Sequence, residues 1–254
     1  AGWDGGSAGD SGAASGDYDG DGTSDIAVFR PGSGLWAVRA LTRIYFGGSS
    51  DHPVPGDYNG DGTSEVAVFR SATGLWAVRG LTRLYFGALG DLPLPRDYNG
   101  DGTVEAAVFR SGSGLWAIRG LTRLYFGGSG DTPVPGYYSG SSASPAVFRS
   151  GSGLWAVRGL TRLYFGALGD TPVPGAYGGG DWLPAVFRSG SGLWAVRGTT
   201  RFYFGGGSDS TVPGDYSGGG IDRAGVFRPA SGLWAIRGLT RLYFGRPGDL
   251  PATR

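Results

Sequence analysis

Apolar residues in this chain fall into short runs that alternate with polar or small residues and are separated by turn formers. In the first such stretch, Asp25-Ile-Ala-Val-Phe-Arg30 is rich in β-branched and aromatic residues and predicts a strand. Pro31-Gly-Ser-Gly34 predicts a tight turn, and Leu35-Trp-Ala-Val-Arg39 a second strand. Thr42-Arg-Ile-Tyr-Phe46 predicts a third, and His52-Pro-Val-Pro55 a short extended piece. Its prolines cannot donate to a ladder, so it belongs at a sheet edge or at the inner end of a sheet. Successive side chains of a strand point to opposite faces. Ile26 and Val28 therefore oppose Ala27 and Phe29, Trp36 and Val38 oppose Leu35 and Ala37, and Ile44 and Phe46 oppose Arg43 and Tyr45. Such a sheet has two largely apolar faces and needs cover on both. No segment of useful length has the helical period.

The pattern recurs. Gly114-Leu-Trp-Ala-Ile-Arg-Gly-Leu-Thr-Arg-Leu-Tyr-Phe-Gly127 returns almost unchanged along the chain, marked by Trp36, Trp76, Trp116, Trp155, Trp194 and Trp234 at spacings of 40, 40, 39, 39 and 40 residues. A fixed period of this length signals stacked repeats. Three to four short strands in about 40 residues match one propeller blade. The expectation is an all-β fold, a six-bladed β-propeller over residues 17–254, preceded by a small, polar lead over residues 1–16 in which Trp3 stands out. The Pro-x-Pro piece is missing before Asp17, and a degenerate copy, Asp249-Leu-Pro-Ala-Thr-Arg254, ends the chain. The two ends are complementary halves of one repeat, so the C-terminal segment is expected to complete blade one and close the ring. The same complementarity acting between chains gives dimers or filaments.

Between the Pro-x-Pro piece and the next strand lies the clearest chemical motif. In repeat one it carries Asp17, Asp19, Asp21, Thr23 and Asp25; in repeat two Asp57, Asn59, Asp61, Thr63 and Glu65; in repeat three Asp97, Asn99, Asp101, Thr103 and Glu105. Oxygen side chains at positions 1, 3, 5 and 9, glycine at 6 and a carbonyl at 7 are what a looped Ca²⁺ site needs. Position 12 is Val28, Val68 or Val108, so the bidentate Glu of an EF-hand is absent and the loop runs into a strand. Several carboxylates in one tight loop repel one another unless a cation or an arginine compensates. About three calcium sites are expected, in repeats one to three. Repeat four has Tyr137, Ser139, Ser141 and Pro145, repeat five Ala176, Gly178 and Gly180, and repeat six Asp215, Ser217, Gly219 and Arg223. No metal is expected in these three.

Composition alters the picture in few places. The 53 Gly and 15 Pro fall at recurring turn positions, which reads as punctuation rather than low complexity. There is no Cys, so no disulfide framework, and the absence of any Met fits a chain from which a leader has been removed. No run of 18 apolar residues exists. All basic residues are arginines, spread periodically rather than clustered, which argues against a nucleic-acid footprint. Structural pairing of these arginines with the repeated aspartates is the expectation. Enzyme chemistry is not expected: His52, the single histidine, stands in a loop as an incidental surface residue, and no unrepeated pair of acids stands out. The six repeated tryptophans are expected in the core, whereas Trp182, in a degenerate loop, is expected to be exposed for contact.

The string Gly-Asp-Tyr-Asn-Gly-Asp-Gly-Thr-Ser-Glu-Val-Ala-Val-Phe-Arg at residues 56–70, followed by a Tyr-Phe-Gly strand end, resembles the FG-GAP or VCBS repeats of bacterial and integrin-α-like propellers. The resemblance runs over nearly all of residues 17–254 and rests on the strands alone in the last three repeats. It implies Ca²⁺ in the loops within blades and a secreted or cell-surface location. It also implies adhesion or ligand binding as the role. A non-catalytic, extracellular calcium-binding module with a protein or glycan ligand is therefore expected. A self-associating filament subunit and a carbohydrate-binding lectin are the alternatives. Nucleic acid and a membrane span are not expected.

Overall fold

The computed structural model describes residues 16–253. The expected lead over residues 1–16, with Trp3, lies outside the described residues apart from Gly16, as does Arg254. Every described element is a strand, and the strands form six four-stranded antiparallel sheets. Each sheet is one blade of a six-bladed propeller. In blade two the order from the axis outward is His52–Pro53, Ala67–Arg70, Leu75–Val78 and Thr82–Tyr85. The proline pieces are thus the innermost strands. They surround an axial cavity of about 300 Å³ lined by Pro53, Pro93, Pro133, Pro172 and Pro213, with Arg96 and Trp182 among its other walls.

Blade one is built from both ends of the chain. Leu250–Pro251 supplies its inner strand, with Val28 opposite Pro251 and Phe29 opposite Leu250. The Ala252 N–H donates to the Ala27 carbonyl at 2.9 Å. The Tyr18 hydroxyl donates to the Ala252 carbonyl at 2.7 Å. In the other blades the equivalent tyrosine bonds the inner strand of its own repeat, as Tyr58 does to Val54 at 2.8 Å. The C-terminal segment thus takes the place that each other repeat fills from its own sequence.

The two apolar faces are covered as the alternation requires. Ala27, Phe29, Trp36 and Val38 pack with Val66, Val68 and Ala77 of blade two, while Val28 and Ala37 pack with Phe227 and Trp234 of blade six. Each tryptophan lies beside the phenylalanine opposite it in the ladder, Phe29 and Trp36 with ring centroids 5.1 Å apart. Its indole N–H donates to a main-chain carbonyl, Trp36 to Phe46 at 3.0 Å, so burial leaves no donor orphaned. A buried aromatic of this size removes on the order of 200 Å² from water, about 5 kcal/mol per tryptophan by area. At the hairpin before each tryptophan the chain passes against the next turn. A Cβ on Gly34, whose φ is 68°, would collide with the Gly47 carbonyl.

Six arginine–aspartate pairs tie each second strand to the turn before the inner strand. Arg70 Nε lies 2.7 Å from Asp51 Oδ1 and its Nη2 3.0 Å from Oδ2, and the aspartate side chain is buried. The pair in blade one, Arg30 with Asp249, spans the chain ends. The expectation that arginines pair with repeated aspartates holds for this set of six, which uses aspartates outside the acidic loops. His52 sits exposed on an inner strand, paired with Phe69.

Candidate metal centres

The acidic loops all lie between the inner and second strands, so the propeller gathers them at one end of the ring. Glycine makes the turns: Gly20 and Gly22 have φ of 77° and 83°, and Gly60 and Gly62 of 80° and 88°, a region that side chains with a Cβ rarely enter. The carboxylate at position 1 is the anchor. Asp57 is buried and accepts the Gly60 N–H at 2.6 Å and the Gly62 N–H at 2.9 Å. Asp17 and Asp97 make the same pairs in their loops. At position 5, Asp21 accepts both the amide and the hydroxyl of Thr23, which hold its carboxyl below the usual range. Asp61 with Thr63 and Asp101 with Thr103 repeat this arrangement.

The structure brings Asp17, Asp19 and Asp21 together, Asp57 with Asp61 and Glu65, and Asp97 with Asp101 and Glu105, in each case with ligand oxygens within 4.8 Å of one another. Two oxygens each at 2.3–2.6 Å from a Ca²⁺ ion lie at most about 5 Å apart, so the spacing fits that ion. Asp25 is not part of the repeat-one trio. Its Oδ2 accepts the Tyr18 N–H at 2.8 Å, as Glu65 does from Tyr58. Asn59 and Asn99 lie within their clusters, the Asn59 amide donating to Asp61 and Glu65. Thr23, Thr63 and Thr103 serve as donors to position 5.

The remaining loops show how the same frame closes without that set. Repeats four and five are each one residue shorter, so Ser144 and Leu183 occupy the bridge position that Glu65 holds in repeat two, and Pro145 follows it. In repeat six Asp215 still accepts Gly218 and Gly220, but Arg223 stands at position 9 with its Nε 3.1 Å from the Ser217 hydroxyl. Trp182 departs from expectation. It is buried, at 6% exposure, against Tyr137 and Tyr138 and with the Arg96 guanidinium over its ring. The shortened loop puts it where Ser24 and Ser64 stand, facing the previous blade, where the open space beside Gly136 receives the indole.

What the sequence did not signal is that the loops form a hydrogen-bonded ring. The position-8 amide of each loop donates to the position-1 carbonyl of the loop before it: Ser64 to Asp17, Val104 to Asp57, Ala143 to Asp97, Trp182 to Tyr137, Asp222 to Ala176 and, across the chain ends, Ser24 to Asp215. The three candidate metal loops are consecutive members of this ring. Each anchoring aspartate binds its own loop through its carboxylate and the next through its carbonyl.

Burial raises the carboxyls that face inward. Asp25 is pushed up to about 6, by desolvation first and then by Asp19, Asp17 and Asp21, against backbone hydrogen bonding that lowers it. Asp17, Glu65 and Glu105 are also raised, chiefly by desolvation. A carboxyl whose folded pKa exceeds its unfolded one holds protons that unfolding releases, so the metal-free fold gains stability as pH falls from about 6 toward about 4. Calcium bound by these carboxylates would compete with those protons and reverse the trend. Thermal melts are expected to rise between pH 7 and pH 5 in chelator and to fall in calcium.

The family model of the FG-GAP repeat matches residues 8–47. No curated protein and no solved structure matches the chain. The matched residues take in the acidic loop of repeat one and the three outer strands of blade one, and that repeat recurs around the ring. The matched repeat and the six-bladed ring that it opens fit an FG-GAP-type propeller.

Proposed function

We propose that this chain is a non-catalytic, extracellular calcium-binding propeller that serves as an adhesion or ligand-binding module. The observation that carries this reading is the recurrence of one carboxylate cluster at one place in three consecutive blades, each held by glycine turns and main-chain amides. Asp17, Asp19 and Asp21, with Asp25 beside them, would hold one ion; Asp57, Asn59, Asp61 and Glu65 a second; Asp97, Asn99, Asp101 and Glu105 a third. A bound ion would cancel the mutual repulsion of these carboxylates and stiffen the loops that link blades one to three. Such an arrangement suits a scaffold that presents a rigid surface. Two further facts support the reading: FG-GAP repeats are typical of extracellular proteins, and no helix among the described residues is long and apolar enough to cross a membrane. Closure of blade one by the chain's own C-terminal strand favours a discrete ring over a filament subunit.

The test is the unfolding midpoint of the full chain in calcium, magnesium and chelator. At a hundredfold excess over Kd each site contributes about 2.7 kcal/mol. That corresponds to roughly 5–10 °C per site in a domain of this size. Calcium is expected to raise the midpoint by at least that amount and magnesium to do much less. An unchanged midpoint would remove the basis of the proposal.

A further inference from the structure

A net charge of +1 conceals a separation of charge that only the fold reveals. Every Asp and Glu among the described residues lies either in the acidic loops or in the six arginine pairs. The outer wall has none. It carries two exposed arginines per blade: in blade one Arg39, in the turn that follows Leu35–Val38, and Arg43, on the outermost strand Thr42–Tyr45, with counterparts in the other five blades. None of these wall arginines is in an ion pair with a described residue. Arg237 lies over the Phe202 ring. Spread evenly in sequence, they are drawn by the propeller into one belt.

The belt also carries tyrosine. Tyr45, Tyr85, Tyr125, Tyr164, Tyr203 and Tyr243 are 71–75% exposed on the outermost strands, on the same face as the strand arginines. Thr-Arg-x-Tyr is identical there in all six repeats, although its Thr, Arg and Tyr pack against little. Over the same six repeats the acidic loops have changed length and charge. Core packing accounts for the constancy of the tryptophans and not for that of these surface residues. Charge on an edge strand guards against strand pairing, but an exposed tyrosine works against that purpose.

We infer that this arginine–tyrosine belt is a multivalent binding surface for an acidic polysaccharide. The guanidinium fork matches carboxylate and sulfate groups, and a tyrosine ring offers an apolar face to a sugar with a hydroxyl at its tip. Between blades two and three the wall opens into a groove of about 120 Å³ bounded by Arg123, Leu115 and the Arg110–Asp91 pair, a size suited to an anionic substituent. Packed sheets stand about 10 Å apart and blades diverge outward, so neighbouring tyrosines are set wider than the bases of a strand, about 3.4 Å apart. Single tyrosines one blade apart suit a chain with acidic groups at intervals, and do not form a stack for successive bases. Identical weak sites around one ring gain strongly from a partner that spans several.

This inference deepens the binding-module reading and rests on it, but not on the calcium loops, so its failure leaves the calcium melts untouched. The experiment titrates the calcium-loaded full chain with polygalacturonate and with heparin, which separate carboxylate from sulfate recognition. Dextran and single-stranded DNA serve as comparisons. Binding to at least one acidic glycan is expected, weakening with salt, with none to dextran. Replacing the outer-strand arginines (Arg43, Arg83, Arg123, Arg162, Arg201 and Arg241→Gln) is expected to abolish it. Replacing the six tyrosines by serine is expected to weaken it by at least about tenfold, the equivalent of 1.4 kcal/mol. Both variants should melt with the parent, since the altered side chains are exposed. No binding to either glycan, binding that survives both variants, or tighter binding to DNA than to glycan would each overturn the inference.

Discussion

Cutting the chain after Gly248 opens the ring. The truncated protein loses the inner strand of blade one and the Ala252 contacts with Ala27 and Tyr18. It also loses the partner of Arg30, whose Nε and Nη2 lie 2.7 and 2.9 Å from the two Asp249 oxygens. The Asp249 side chain is fully buried while Arg30 is 28% exposed, so the arginine recovers some solvent when its partner goes and the carboxylate's contribution is the larger loss. Breaking a buried pair costs about 3 kcal/mol, and the lost strand adds to it. The total is expected to exceed about 5 kcal/mol and to lower the melting midpoint by more than about 10 °C. A subtler comparison separates closure from ion pairing. Asp249→Ala and Asp131→Ala remove the same bidentate contact, one across the chain ends and one within a continuous blade. Both should destabilise, but only Asp249→Ala should yield dimers or larger species by light scattering, because only there can a freed end enter a neighbour. Equal behaviour of the two variants would mean that closure does not depend on the latch.

The second large effect concerns the anchoring aspartates. Asp57→Ala removes a proposed metal ligand and leaves the Gly60 and Gly62 amides, together with that of Asn59, without their acceptor. Unmade bonds of this kind cost about 1–3 kcal/mol. Asp215→Ala removes the same two glycine contacts in a loop that lacks the carboxylate trio. Both variants should lower stability in chelator, Asp57→Ala by more, because its contacts are half-buried and those of Asp215 are exposed. In calcium, Asp57→Ala should lose a further increment of about 2.7 kcal/mol at a hundredfold excess over Kd, and Asp215→Ala should keep the full calcium response. Unfolding in urea with and without calcium measures both differences. A calcium response equal in the two variants would detach the ion from repeat two.

Most of the architecture was legible because the repeat states it six times. The period set by the tryptophans gave the blade count, the alternation gave two apolar faces that need cover, and the missing proline piece before Asp17 foretold the closing strand. The carboxylate clusters were legible for a different reason: their members lie close in sequence, so spacing alone finds the groups that the structure brings together. Features that depend on contact between distant residues were not. Trp182 looked exposed because its loop is degenerate. Its burial follows from a one-residue deletion that moves it to position 8, where it meets Gly136 of the preceding repeat. The arginines looked dispersed because linear spacing says nothing about which blade edge each reaches. Asp25 is a ninth-position candidate by its spacing, and the contact that it shares with Glu65, to the tyrosine amide seven residues before it, does not show in that spacing. The structure turns Asp25 to the Tyr18 amide and buries it enough to raise its pKa.

If the carboxylate clusters are the metal sites, three loops of the ring, and not six, bind calcium. Isothermal titration of the chelator-stripped full chain with calcium measures the number directly. Saturation is expected at three ions per chain, falling to two in Asp57→Ala. Heat from no ions at all, or saturation at six, would contradict it.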